Sequence, residues 1–269
     1  MSFTSTTRNA GKVLTTNERV RQARKPIFFA ILLAFLAFLV VALWESMIMV
    51  VTGWFPDYVH PTHRVHHIMI GGMITVFVLT LVMQLYRPMR RIGAMQAALI
   101  FVVTMAVLTS IASGVAAASE LLIFVLPVVI LTLLHPGVRQ IRPRLADVDR
   151  RLLAIALIGA SGLAYLALME FNAHMTLADD HVALGHYEFM MITLVSIALF
   201  AVIGAFRSPG WRVPVYAAAA IALLYGSGSF AFAGAEQGSS LSMLGSIGMI
   251  TWALLLVGVS EYKWLTREK

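Results

Sequence analysis

His60-Pro61-Thr62-His63-Arg64-Val65-His66-His67 runs straight into the largely apolar stretch 68–86, which stops at Arg87-Pro88-Met89-Arg90-Arg91. About 20 apolar residues are enough for a helix to cross the hydrocarbon core of a bilayer. The segment therefore reads as a spanning helix with histidines at one end and arginines at the other. Four of the eight histidines of the chain lie in that octapeptide. The same pattern recurs in the second half, where His181 and His186 precede an apolar run that stops at Arg207-Ser208-Pro209.

Working outward, the 269 residues are 59% hydrophobic and 12% charged, about half the charge of an ordinary soluble domain. The expected fold is all-α: a polytopic transmembrane bundle of about eight spans, arranged as two four-helix repeats in parallel orientation. A basic tail over 1–25 precedes a first repeat at 26–135. A linker at 136–151, a second repeat at 152–262 and a short tail at 263–269 follow. Helices are predicted over 26–52, 63–86, 92–113, 117–135 (kinked at Pro127), 152–172, 182–206, 212–233 and 240–262. The first apolar run is too long for a cleaved signal and reads as a retained span.

Spacing supports the duplication. Glu45 lies 20 residues after Lys25 and Glu170 lies 20 after Arg150; His67 lies 20 before Arg87 and His186 lies 21 before Arg207. Four helices per repeat is an even number, so the halves keep one orientation and are related by an axis along the membrane normal. With the N-terminus inside, all 20 Lys and Arg except Arg64 fall on the inner side. This positive-inside pattern predicts a plasma (inner) membrane protein with both termini cytoplasmic. The net charge of +7 is thereby explained by headgroup-facing loops, with the bilayer as partner, other membrane subunits as further candidates, and no nucleic acid.

The helical rise of about 1.5 Å per residue puts Glu45, His67, Glu170 and His186 in one layer about 30 Å above the arginines. His63 and His67, four apart, share a helix face and can chelate one ion. His66 is turned about 100° from His67. His181 and His186 can join in only if their helix begins after His181. The chain has no cysteine, which removes thiolate sites and iron–sulfur clusters. Imidazole with carboxylate points to a transition metal, copper or zinc, and nearby Met47, Met69, Met169, Met175 and Met190 would favour copper. The expected ligands are His63, His67, His181, His186, Glu45 and Glu170. His66, His174, Asp180, Glu188 and Arg64 stand behind them, with Arg64 placed to hold a carboxylate.

Two other readings use the same layer. His67 and His186 can ligate one haem b from opposite sides, with Gly71 and Gly72 making room for the porphyrin. Alternatively the histidines form a proton relay or cation vestibule in an accessory or transport subunit. No charged residue falls at mid-membrane, which argues against a simple pump. No catalytic residue is assigned, so the sequence does not decide whether the chain is an enzyme.

Overall fold

The computed structural model describes residues 16–267. The expected basic tail lies outside the described residues up to position 15, as do positions 268 and 269 of the C-terminal tail. The chain is a helical bundle with no strand among the described residues. Its helices are α1 (Thr16–Thr52), α2 (Arg64–Val82), α3 (Ile92–Ala112), α4 (Gly114–Glu120), α5 (Leu122–Leu134), α6 (Val138–Ile141), α7 (Arg150–Thr176), α8 (Asp180–Ala183), α9 (His186–Gly204), α10 (Arg212–Ala231) and α11 (Met243–Arg267). Seven helices are long and apolar enough to cross a membrane, eight if the bent pair α4–α5 forms one span. This is a multi-pass membrane protein.

Burial sorts the spans into two sets. In α2, α3, α9 and α10, 61–67% of the spanning segment is buried, against 22–28% in α1, α7 and α11. The first four form the centre, and the rest line it on the lipid side. Within the first half α1 packs on α2, α2 on α3, and α5 on α1; within the second α7 packs on α9, α9 on α10, and α11 on α7. The halves meet where α2 packs on α10 and α3 on α9. In the absence of a hydrophobic drive between helices, small residues set such contacts. A Cβ on Gly71 would fall 2.8 Å from the Ser46 carbonyl oxygen, so α1 crosses α2 backbone to backbone.

Several boundaries depart from the sequence reading. α1 begins ten residues early, at Thr16, although its spanning part starts at Arg24. The bend expected at Pro127 lies instead at Leu121, where α4 and α5 meet at 64°. Pro127 sits inside α5 and only removes one N–H. α7 runs on to Thr176, and its start is fixed by Asp149, which accepts hydrogen bonds from the Arg151 and Leu152 amides at 3.1 and 3.2 Å. A carboxylate there satisfies amides that the helix leaves unpaired. The helix expected over 182–206 is broken in two. Gly185, at φ 69°, separates the single turn α8 from α9. A residue without Cβ takes that left-handed conformation at little cost.

At the arginine-rich end, Arg87 and Arg207 close α2 and α9 with the same left-handed backbone, φ 51° in each. Each guanidinium lies over an aromatic ring, Tyr86 for Arg87 and Trp211 for Arg207. Arg207 also reaches the Asp149 carboxylate at 2.6 Å.

Candidate metal centre

The break at Gly185 has a direct consequence for the histidines. It puts His181 on α8 and His186 at the first position of α9, so the two rings approach from different elements. On the other side, a 3-10 turn, Pro61–His63, leads into α2 and delivers His63, His66 and His67. All five rings are buried, none more than 8% exposed. They pack into one box: His63 lies 4.4 Å from His181 and 4.9 Å from His186 between ring centroids, and His66 lies 4.8 Å from each of the same two. His60 is exposed at the mouth, its ring 5.4 Å from that of His67.

Two sets of three nitrogens are close enough to share an ion. His63, His67 and His186 form one; His66, His181 and His186 form the other, and within each set the ligand atoms lie within 4.8 Å of one another. His186 belongs to both. The Nδ1 atoms of His63 and His186 are 3.1 Å apart, close to the ~3.3 Å edge of a tetrahedron with metal–nitrogen bonds of about 2.05 Å.

Hydrogen bonds engage one nitrogen of His66 and leave the other without a partner among the described residues. Ser239 Oγ lies 2.7 Å from Glu170 Oε2 and 2.7 Å from His66 Nε2. An ionised Glu170 can only accept, so it takes the single hydroxyl proton of Ser239. Ser239 Oγ then accepts from His66 Nε2–H. With Glu170 ionised, His66 Nδ1 carries the lone pair of the ring; it is buried and has no hydrogen-bond partner among the described residues. Buried polar atoms are rarely left so.

The loop between α10 and α11 closes the box. Gln237 accepts from the Val65 amide at 3.4 Å and donates to the Pro61 carbonyl at 2.7 Å, holding the start of α2. Gly238, at φ 72°, lies against the rings: a Cβ there would sit 2.9 Å from His66 and 3.1 Å from His181. Tyr58 hydrogen-bonds His67 Nδ1. Burial pushes the Tyr58 phenol above its ordinary range, against the pull of the Arg64 guanidinium. None of Gln237, Gly238, Ser239 or Tyr58 was expected at the site. The signal available was the polar run 236–240 in an otherwise apolar half.

The remaining expected residues divide. His63, His67, His181 and His186 come together, and His66, expected behind the ligands, joins them in a triad. Glu170 reaches the box only through Ser239. Glu45 is exposed on α1 and belongs to neither triad, because equal depth does not fix which way a side chain faces. Arg64 holds no carboxylate among the described residues. Its guanidinium donates to the carbonyls of Gly53, Phe55 and Pro56 at 3.0, 2.5 and 2.9 Å, tying down the end of α1 and the following loop. Asp180 is exposed; its neighbour Asp179 makes the contacts, accepting from the Val182 amide at 3.0 Å and the Tyr187 hydroxyl at 2.9 Å. Burial alone would raise the Asp179 carboxyl, but those two donors and His181 hold it below the usual carboxylate range. His174 and Glu188 face α3 instead, where Glu188 accepts from the Thr109 and Ser113 hydroxyls. Met169 and Met175 point outward, 52% and 57% exposed, while Met69 and Met190 are fully buried in the apolar core.

Compared with known protein families, curated proteins and solved structures, the chain matches none of them. The functional reading therefore stands on this site's own geometry.

Proposed function

We propose that the protein binds a transition metal, copper or zinc, in the histidine box at the extracytoplasmic end of the bundle. The observation that carries this is His66 Nδ1: a buried nitrogen on a ring held in place by Ser239 and Glu170, grouped with His181 and His186 and lacking a hydrogen-bond partner among the described residues. A metal ion satisfies such an atom, and the Glu170–Ser239–His66 chain is the kind of outer support that fixes a ligating imidazole. The two nitrogen triads contain no carboxylate, which favours copper or zinc over manganese or magnesium. His186, shared by both triads, is the central ligand.

Crowding weighs against haem b between His67 and His186. The His63 ring lies 5.7 Å from His67 and 4.9 Å from His186, and His66 stacks on His186 at 4.8 Å. The absent side chain of Gly71 makes room for the α1 backbone, not for a porphyrin.

The site sits between two halves that we read as a duplicated four-helix unit. The shared packing order and the matched φ of 51° at Arg87 and Arg207 support that reading. Aligning those arginines pairs His66 with His186, each 21 residues upstream, in place of the His67–His186 pairing. The arginine-rich end is cytoplasmic in this reading, with both termini on that side and the plasma membrane as location.

Protein purified without added metal tests the centre by elemental analysis and absorption. The expected result is at least one copper or zinc ion per chain and no Soret band. A folded, metal-free protein that binds added Cu²⁺ and Zn²⁺ no better than His186→Ala would overturn the reading and leave a proton-handling or accessory role. Because the chain has no native cysteine, orientation is read directly. Val59→Cys, 78% exposed in the parent, should react with an impermeant maleimide from outside, and Leu145→Cys, at 83%, should not.

A further inference from the structure

His174 and Glu188 were singled out in the sequence, yet they lie apart from the histidine box. Glu188 follows His186 by two residues, so it projects about 200° around α9 from it. There it meets an apolar cavity of about 270 Å³ walled by α1, α2, α3, α9 and the α4–α5 bend. Phe77, Phe101, Phe124 and Phe189 line it, and Glu188 and Thr109 supply its polar end. A cavity of about 150 Å³ with such walls takes a benzene ring, so this one has room for a substituted ring, and aromatic walls favour a ring.

The polar end is built to accept a proton donor. Glu188 Oε1 takes the Thr109 hydroxyl and Oε2 that of Ser113, and a carboxylate has about four acceptor positions, so capacity remains. Behind it, His174 Nε2 lies 3.8 Å from Glu188 Oε2 and 3.3 Å from Ser113 Oγ. His174 Nδ1 has no partner among the described residues. We propose that this cavity binds a quinol: the ring among the phenylalanines, one ring hydroxyl donating to Glu188, the tail toward the bilayer. Glu188, with Thr109 and Ser113 already donating to it, would hold the ring hydroxyl through one further accepted hydrogen bond. A phospholipid acyl chain matches the walls but has nothing to donate to Glu188.

Photolabelling of the reconstituted protein with an azidoquinone tests this. The label should fall on α3 and α9 near Phe101 or Phe189, and excess decylubiquinol should suppress it. Met105→Trp, which fills the cavity, should abolish specific labelling. Glu188→Gln should weaken protection by decylubiquinol about tenfold through loss of a charge-assisted hydrogen bond. Metal content should be unchanged in both variants, which separates this site from the histidine box. Label spread over lipid-facing helices, or protection by phosphatidylglycerol equal to that by the quinol, overturns the proposal. If Met105→Trp fails to fold, the competition on the unaltered protein decides.

Discussion

His66 and His135 are both 0% exposed, at opposite ends of the bundle, and their environments differ. His135 uses both ring nitrogens. Nδ1 accepts from the Gly137 amide at 3.0 Å, Nε2 donates to Gln84 Oε1 at 3.0 Å, and the ring meets Phe28 edge-on at 5.4 Å. His66 uses only Nε2. Burial and residue type are therefore the same for a histidine that closes a loop and for one that leaves a nitrogen without a partner among the described residues. What separates them is the tally of nitrogens, since a fully hydrogen-bonded imidazole has no lone pair left to give. The box around His66 is also crowded with other imidazoles, whereas His135 has none near it among the described residues.

The largest effect is expected at His186, which both triads share. His186→Ala removes one nitrogen from both triads and should lower copper or zinc affinity about 100-fold or more, beyond the effect of losing an outer-shell partner. His135→Ala should leave bound metal unchanged. Competition against a chromophoric chelator reads both; equal losses in the two variants would remove the distinction. A smaller effect is expected from Ser239→Ala, which touches no metal. It frees His66 Nε2 and releases the tautomer, and should cost about 10- to 100-fold in affinity. Ser239→Thr keeps the hydroxyl and should restore most of it. If the Ala and Thr variants bind alike, the Glu170–Ser239–His66 chain does not position the ligand.

Much of this arrangement is legible from the chain. Apolar runs bounded by arginines give the spans, and counting from the basic residues places Glu45, His67, Glu170 and His186 in one layer, with His63 and His181 near it. Depth along a helix follows from rise alone. Direction does not, because neighbouring helices decide which face is inside. That is why Glu45 is in the expected layer but exposed, and why Glu188 and His174 turn to α3. His66, about 100° from His67, is expected behind the ligands, but the box surrounds the start of α2, with His63 and His67 on one side and His181, Ser239 and Gly238 on the other. The Ser239 contribution comes from a loop 173 positions away that carries no metal-binding residue type of its own beyond Glu236. No local pattern announces such a long-range partner.

The smallest effect is expected at His135. Burial, and then the Arg24 guanidinium, push its pKa down to about 4, against about 6.5 for an unfolded histidine. The folded protein thus keeps His135 neutral where the unfolded chain would take up a proton. Its contribution to stability is fully present above pH 6.5 and is lost as the pH falls through about 4. Between pH 7 and pH 5 that loss should be about 2 kcal/mol. His135→Gln cannot titrate. It should be about 1 kcal/mol less stable at pH 7, having lost the acceptor for the Gly137 amide, and its stability should fall less steeply toward pH 5. Acid also releases metal from histidine ligands, so unfolding in detergent is to be followed with a chelator present, and the difference between parent and variant read. Parallel pH profiles would mean that His135 is not the neutral, doubly bonded residue described here, and that the two ends of the bundle differ by less than their hydrogen bonds imply.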